Sequence, residues 1–522
     1  MDLSILSASQ QTIVLISMLV YMGLVVAIGL MYSKRNKNIE EFYLGGRSLG
    51  PWVTAMSAEA SDMSSWLLMG LPGVAFLSGY AEAGWTAIGL ALGTYLNWKL
   101  VAYRLRNYTQ IAGNAITLPD FFSNRFHDKR RILMTIAAVI IAFFFVIYTS
   151  AGFVACGKLF NSLFGIDYGL MMIISALVIL LYTIIGGFLA ESTVDFFQGI
   201  LMFIALITIV FVGVNAAGGI GGVSATVASM EGFGSMFTSF DRISWSSSPI
   251  SLISTLSWLA WGLGYFGMPH VLLRFMAIKN PKELKKSRIV ACTWCFITLI
   301  AAVLIGIVGA AAVPDMLDGL DKAGMSSKSE TIFVVLAQIL GSNGTLLTIL
   351  AGLMLSGILA AQMSTSDSQL LVASSAISQN FFKGVLKTDA SEKQVMWVSR
   401  ATILVITIIA AILALSPSLS IFDIVSYAWA GFGAAFGPLI LFSLFWKRTT
   451  LAGAVAGMVS GGLTVIIWKN LLSQLGGVFA IYELLPAFII SCIFIYVVSL
   501  MTEEPSSEIL DEFQRAKEGR LA

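Results

Sequence analysis

Residues 57 to 66 read SAEASDMSSW: two carboxylates (Glu59, Asp62) and four serines (Ser57, Ser61, Ser64, Ser65) in a chain otherwise composed for hydrocarbon, 57% hydrophobic and 11% charged. An ionised Asp at the centre of a membrane helix costs roughly 2.5 to 3.5 kcal/mol on insertion scales, so an acid retained there marks a functional position. Asp62 is joined by Asp195 in FLAESTVDFFQG and by Asp367 in SGILAAQMSTSDSQLL. In the last stretch Ser364, Asp367 and Ser368 follow i, i+3, i+4 and share one helix face, with Thr365 at its edge. Hydroxyl and carboxylate oxygens on one face suit a hard alkali cation. Packing of small residues would explain the hydroxyls but does not require Asp367. Softer metals are poorly served, because the two histidines, His127 and His270, are far apart and no thiols cluster. For Asp195 a hydrogen bond to a neighbouring helix is the competing structural reading, and the role of Glu59 stays open.

The segment WLAWGLGYFGMPH, residues 258 to 270, sets Trp258, Trp261, Tyr265 and Phe266 beside glycines that admit close approach to the backbone. Trp261 and Tyr265 are i, i+4 and form a wall suited to a small ring or, through cation–π attraction, to an ammonium group. Aromatic residues also serve packing and interface roles, and His270 reads equally well as a satisfied polar residue. No nucleophile–base pair, metal set or cofactor motif stands out, which argues against an enzyme.

The elements that must position these residues are membrane spans. Thirteen apolar stretches fall at about 10–32, 50–75, 80–105, 131–160, 168–187, 190–215, 249–275, 288–313, 343–381, 394–415, 419–446, 449–472 and 480–502. Residues 1–502 therefore read as one transmembrane domain surrounded by lipid, with 503–522 as a short charged cytoplasmic tail. The first stretch lacks a charged n-region and a cleavage site, so it reads as a retained span. The N-terminal MDLSILSASQ has no Lys or Arg, whereas Lys34, Arg35, Lys37 and Arg47 follow the first span, which places the N-terminus outside and the C-terminus inside. With thirteen spans the basic loops at 127–131, 279–288 and 446–448 all fall inside, and only Lys158, Arg242, Lys322, Lys328 and Lys469 of 31 basic residues fall outside. A twelve-span count would reverse the later loops. A net charge of +2 gives no reason to expect a nucleic-acid partner, and the four cysteines lie in or beside spans as apolar filler.

Two spans look broken. The second carries its polar run between PWVTAM and LLMGLPGVAF, and the seventh carries Gly262, Gly264, Gly267 and Pro269 close together. Unwound backbone at membrane depth is tolerated only where it lines a cavity or a site. The breaks lie five spans apart, as expected if spans two to six (about 50–215) and seven to eleven (about 249–446) are inverted repeats, although no residue-level repeat is visible.

The words EEFYLGGRSLGPWVTAMSAEASDMSSWLLMGLPG, ITLPDFF, IIGGFLAESTVDFFQG, WGLGYFGMPHVLLRFMA and QMSTSDSQLLVASSA span residues 40 to 376. In them the chain resembles the sodium/solute symporter family, and within it the bacterial branch that carries L-proline. The resemblance implies an all-α membrane protein with the LeuT-like five-plus-five inverted repeat and about thirteen transmembrane helices. It further implies sodium-coupled uptake of L-proline across the plasma membrane, with another small solute of the same family, such as an osmolyte, pantothenate or a carboxylate, as the alternative. By the same resemblance, sodium is held by the carbonyls of Ala60 and Met63 and the hydroxyls of Ser364 and Thr365. Asp195, Asp367 and Ser368 are expected at a second cation site. Asp62, Ser64, Ser65, Tyr148, Trp261, Tyr265 and Pro269 are expected on the solute side. Glu59 and Ser65 depart from the small residues usual in the second span, and Asp367 adds an acid, which leaves the ion stoichiometry open.

Overall fold

The computed structural model describes residues 5–33 and 38–519, so Lys34, Arg35 and Lys37 lie outside the described residues. Nine helices among the described residues are long and apolar enough to cross a membrane. They are Ala8–Ser33, Ile132–Phe164, Phe188–Ala216, Leu284–Ala312, Thr345–Ser375 with its extension to Leu386, Glu392–Leu413, Ile421–Phe445, Leu451–Ile467 with its extension, and Leu484–Met501. The other four expected spans are also helical but shorter or interrupted. The fifth is Tyr168–Ile185, and the third is Tyr80–Leu96 continued through a widened turn at Asn97–Val101 into Ala102–Ile111.

The second and seventh spans are broken where the sequence places their polar and glycine-rich runs. The helix from Pro51 loses its geometry at Ser64 (φ 49°, ψ −172°) and resumes through Trp66–Gly70 into Leu71–Ser78. A non-glycine residue at positive φ is strained, and such strain persists only where surrounding packing enforces it. In the seventh span Leu252–Leu259 tightens into a 3₁₀ run at Ala260–Gly267, passes through extended Met268 (φ −73°, ψ 107°) and restarts as Pro269–Ala277. A 3₁₀ run of this length is uncommon and marks a hinge or a strained sequence.

Glycine lets the two interrupted regions pack tightly. A Cβ on Gly93 would sit 2.2 Å from the Gly262 carbonyl oxygen, and one on Gly262 would sit 2.1 Å from that of Gly89. The third span thus lies backbone to backbone on the 3₁₀ run. The eleventh span covers the same run on another side, and the sixth and ninth spans pack on the inner half of the second.

The basic segments gather at one end. Lys279 N donates to Leu49 O (3.0 Å), Arg47 donates to Met276 O (2.6 Å) and Ala115 O (2.8 Å), and Lys129, Arg131 and Lys383 line one groove with the tail residues Glu508 and Glu512. That end is called inner below. The tail forms the helix Ser507–Glu518, capped by Ser506. One small departure from an all-helical chain occurs in the loop after the sixth span, where Thr238–Asp241 pairs antiparallel with Ser246–Pro249. The Asp241 side chain accepts from Ile243 N (2.9 Å) and Ser244 Oγ (2.7 Å) and closes that turn, a local signal that the apolar periodicity of the spans obscured.

Candidate ion and solute site

The break in the second span faces the 3₁₀ run of the seventh across a cavity lined by Asp62, Met63, Trp66, Leu90, Tyr148, Trp261, Tyr265, Val425 and Trp429. Every wall is positioned by a named contact. The Tyr148 hydroxyl donates to the Asp62 carbonyl (3.0 Å), so the fourth span pins the helix two residues before the break. Trp429 Nε1 donates to the Trp261 carbonyl (2.7 Å), and Asn97 Nδ2 to that of Tyr265 (3.0 Å), which satisfies acceptors that the tightened helix leaves free. Above the cavity Trp66 and Trp261 lie 5.2 Å apart, Phe422 lies 5.7 and 5.1 Å from them, and Tyr482 stacks on Trp261 at 5.4 Å.

The polar groups around this cavity are unfinished. Asp62 Oδ1, Trp66 Nε1, Tyr265 Oη and both ring nitrogens of His270 are buried without a hydrogen-bond partner. Buried polar groups are normally paired, so a cluster of orphans on two broken helices calls for a polar ligand. The cavity itself is tight, about 10 Å³, room for one water site at most. Its walls must part to admit anything larger. The inner side is shut as well, because Thr54–Ser65 and Pro269–Ala277 are buried throughout.

Of the residues expected on the solute side, Asp62, Tyr148, Trp261 and Tyr265 line the cavity, and Ser64, Ser65 and Pro269 do not. Ser64 instead makes the break, its Oγ accepting from Trp66 N (3.0 Å). Ser65 donates to Gln362 Oε1 in the ninth span (3.1 Å), and Pro269 opens the inner helix as its first residue, where its missing N–H has no consequence. Glu59 faces the third span and accepts from Trp98 Nε1 (3.1 Å). Leu90, Val425 and Trp429 could not be found in the sequence, because no polar or broken stretch flags them. Trp66 directly follows the polar run and was within reach.

Of Ala60, Met63, Ser364 and Thr365, the structure joins Ala60 to Ser364 where the second span packs on the ninth, while the Met63 carbonyl accepts from Trp66 N in its own span. Ser364 Oγ donates to the Ala60 carbonyl (2.7 Å), while Thr365 Oγ1 is buried with no partner. The groups named are all oxygens, a chemistry that suits an alkali cation and offers nothing to a soft metal, and the Thr365 hydroxyl is the one left without a partner.

The second expected group is arranged differently. Arg274, fully buried on the inner half of the seventh span, donates to Ser57 Oγ (3.0 Å), Asp195 Oδ2 (3.2 Å), Ser368 Oγ (2.6 Å), the His270 carbonyl (3.1 Å) and Glu191. Asp195 and Ser368 therefore meet a guanidinium, and Asp367 turns to Thr183 of the fifth span. The reason is physical: two buried carboxylates at i, i+4, Glu191 and Asp195, require compensating charge, and Arg274 supplies one positive charge to the two, leaving Glu191 Oε2 and Asp195 Oδ1 without a hydrogen-bond partner. Glu191 and Arg274 were both visible as charges in apolar stretches.

Two helices broken side by side around unpaired polar groups, with an oxygen cage beside them, define a secondary transporter. The chain belongs to the Sodium:solute symporter family, whose model matches residues 42–461. It is 42% identical over 517 residues to a sodium/proline symporter of Staphylococcus aureus, covering 98% of this chain and 96% of that protein. The homologue from S. aureus strain bovine RF122, also a sodium/proline symporter, is 42% identical over 519 residues, covering 98% and 97%. Among solved structures, a substrate-bound outward-open Na+-coupled sialic acid symporter superposes with TM-score 0.75 at 20% identity, covering 95% of this chain and 99% of that one. MhsT in complex with L-phenylalanine superposes at 0.52 with 17% identity, covering 87% and 98%. These neighbours establish the LeuT-like fold.

Proposed function

We propose that this chain takes up L-proline together with sodium across the plasma membrane by alternating access, with the N-terminus outside. Spans two to six and seven to eleven act as the inverted repeats, and residues 503–522 are a cytoplasmic tail. The observation that carries the reading is the cavity between the two broken helices, bounded by aromatic faces and by the Asp62 carboxylate, whose Oδ1 has no hydrogen-bond partner and lies 3.9 Å from His270 Nε2. A zwitterion with a small ring has a charge for each end of it: its ammonium meets Asp62, and its carboxylate meets the N–H and O–H donors of Trp66 and Tyr265. Trp261 covers the ring. The S. aureus homologues at 42% identity support proline as that zwitterion.

Sodium is assigned to the carbonyls of Ala60 and Met63 with the hydroxyls of Ser364 and Thr365. These oxygens join the broken span to the ninth, so a cation there holds the break in the geometry that receives solute. The reading needs one sodium; Asp195 and Ser368 are engaged by Arg274, and the unpartnered Asp195 Oδ1 keeps the second cation site of the sequence reading open. One charge crossing about 120 mV releases roughly 2.8 kcal/mol, and a tenfold sodium gradient adds about 1.4, enough for about thousandfold accumulation at one sodium per solute.

Uptake of labelled L-proline into proteoliposomes tests this. An inward sodium gradient should drive accumulation that potassium does not, and Trp261→Ala or Tyr265→Ala should abolish it while leaving membrane insertion intact. Unchanged proline uptake in both variants would reject the solute assignment.

A further inference from the structure

Glu59 is the acid of the polar run whose role the sequence leaves open, and the structure turns it away from the cavity. Its side chain is buried, Oε1 accepts from Trp98 Nε1 (3.1 Å), and Oε2 has no hydrogen-bond partner. The residue before Trp98 reaches the other broken span: Asn97 Nδ2 donates to the Tyr265 carbonyl (3.0 Å), and Asn97 Oδ1 is buried without a partner. Two consecutive residues of the third span thus bond the two interrupted helices, one each. Both stand at the start of the widened turn Asn97–Val101, where Ala102 N–H reaches back five residues to the Asn97 carbonyl. Turns of this kind are rare and are found most often at functional sites. On the outer side of the turn the span is fixed, since Gly89 and Gly93 lie against the backbone of Leu259 and Gly262. At the turn itself the Trp98 ring packs on Phe275, in the inner half of the seventh span, with centroids 4.5 Å apart.

Glu59 directly precedes Ala60, whose carbonyl is assigned to sodium, and Tyr265 lines the solute cavity. Buried hydrogen-bonding groups are costly to leave unpaired, so Trp98 has to follow a displacement of Glu59, and the Tyr265 carbonyl has to follow Asn97. We propose that Glu59, Trp98 and Asn97 form a bridge through the third span, which carries the ordering effect of sodium from the second span to the solute wall of the seventh. All three are positioning residues, since none lines the cavity and none is among the oxygens assigned to the ion. The bridge rests on the sodium assignment proposed above and is independent of which solute is carried.

The test uses the full-length protein in detergent with Tyr265→Cys as a reporter, a change that keeps the backbone carbonyl held by Asn97. Maleimide labelling is followed in sodium and in choline, with the protein retaining Tyr265 as the control for the four native cysteines. Sodium should raise the labelling rate of the reporter about tenfold. Trp98→Phe keeps an aromatic ring against Phe275 and removes the donor, and Asn97→Leu keeps the bulk and removes the amide; each should cut that ratio to about twofold or less. Glu59→Gln keeps an acceptor oxygen for Trp98 and should stay near the parent ratio, whereas Glu59→Leu should fall with the other two. Trp98→Phe combined with Asn97→Leu should be no worse than the worse single variant, because both interrupt one route; independent damage at two places would multiply and would overturn the bridge. In proteins that retain Tyr265, the factor by which sodium raises the affinity for labelled L-proline should fall by the same proportion, with the affinity in choline unchanged. If Asn97→Leu does not assemble, Trp98→Phe decides alone. A parent ratio in Trp98→Phe, or a parent reporter that ignores sodium, overturns the proposal. Sodium ratios that fall as expected in a protein that binds no proline uphold the bridge and reject the solute assignment.

Discussion

Thr365 gives the sharpest separation between a structural hydroxyl and an ion ligand. Its Oγ1 is buried and bonds nothing, whereas the adjacent Ser364 hydroxyl is committed to the Ala60 carbonyl at 2.7 Å. A buried polar atom left unpaired costs about 1 to 3 kcal/mol, so Thr365→Val, nearly the same shape, should leave the sodium-free protein at least as stable as the parent. With sodium the sign reverses. An oxygen contact to a charged partner contributes about 1.5 to 3 kcal/mol, so its loss should weaken apparent sodium affinity about 10- to 150-fold. Thermal unfolding in detergent, in choline and then in sodium, reads both effects. At a sodium concentration 100 times the parent dissociation constant, binding stabilises the parent by about 2.7 kcal/mol, and a hundredfold weaker variant by only about 0.4. The sodium dependence of proline uptake gives the same ratio independently. A variant less stable than the parent in choline, or one whose sodium dependence stays within twofold, would refute the assignment of Thr365 to the ion.

Two further outcomes follow from the packing. Arg274→Gln strips the buried charge from Glu191 and Asp195 and should destabilise the protein by about 3 to 5 kcal/mol, measured as loss of folded material on heating in detergent; Ser57→Ala, which leaves the ion pairs intact, should cost far less. Gly93→Ala would drive a methyl into the Gly262 carbonyl at 2.2 Å and should force the third span off the 3₁₀ run. The expected loss is at least the 1 to 3 kcal/mol of ordinary overpacking, together with transport, while Ala at Gly23, which has open space around it, changes neither.

The spans and their breaks were legible because both signals are local. Apolar runs of the right length announce the helices, and SAEASDMSSW and WGLGYFGMP announce the places where helical hydrogen bonding fails. Where the second span packs on the ninth, Ser364 and Thr365 declare themselves by type and spacing, but a carbonyl such as that of Ala60 has no sequence signature. Roles within a recognised motif were the least secure. Ser64, Ser65 and Pro269 sit in the same words as Asp62 and Tyr265, yet Ser64 and Pro269 shape the backbone and Ser65 turns to Gln362 of the ninth span, because one residue in a broken helix supplies the distortion while only some of its neighbours face the cavity. Trp429 and Phe422 were invisible for a different reason. Both belong to a helix whose own sequence is unremarkable for a membrane span, and only tertiary packing brings them to the site. Arg274 and Lys158 stood in plain view as charges in apolar surroundings, but the residues that neutralise them are 79 and 172 positions away in sequence.

On the proposed reading, coupling comes from the closeness of the two sites. Ala60 and Met63 are the carbonyls assigned to sodium, Asp62 and Met63 line the cavity, and Tyr148 grips the Asp62 carbonyl between them. Three residues within four positions at one fractured helix end would then serve both ligands, so neither could order the break without favouring the other. Thermodynamic linkage makes that preference reciprocal: whatever factor sodium contributes to solute affinity, solute returns to sodium. A shared break cannot by itself stop either ligand from leaking, because a strained helix end could open to both sides. Closure has to come from elsewhere. Phe422 lies over the cavity on one flank, its N–H bonded to Glu330, and on the other Arg274 ties the seventh span to the second, sixth and ninth. The Arg274 tie carries the larger cost of release, since parting it from Glu191 and Asp195 leaves buried ions uncompensated, so the side it fastens opens only with a rearrangement that brings water or counter-charge to all three.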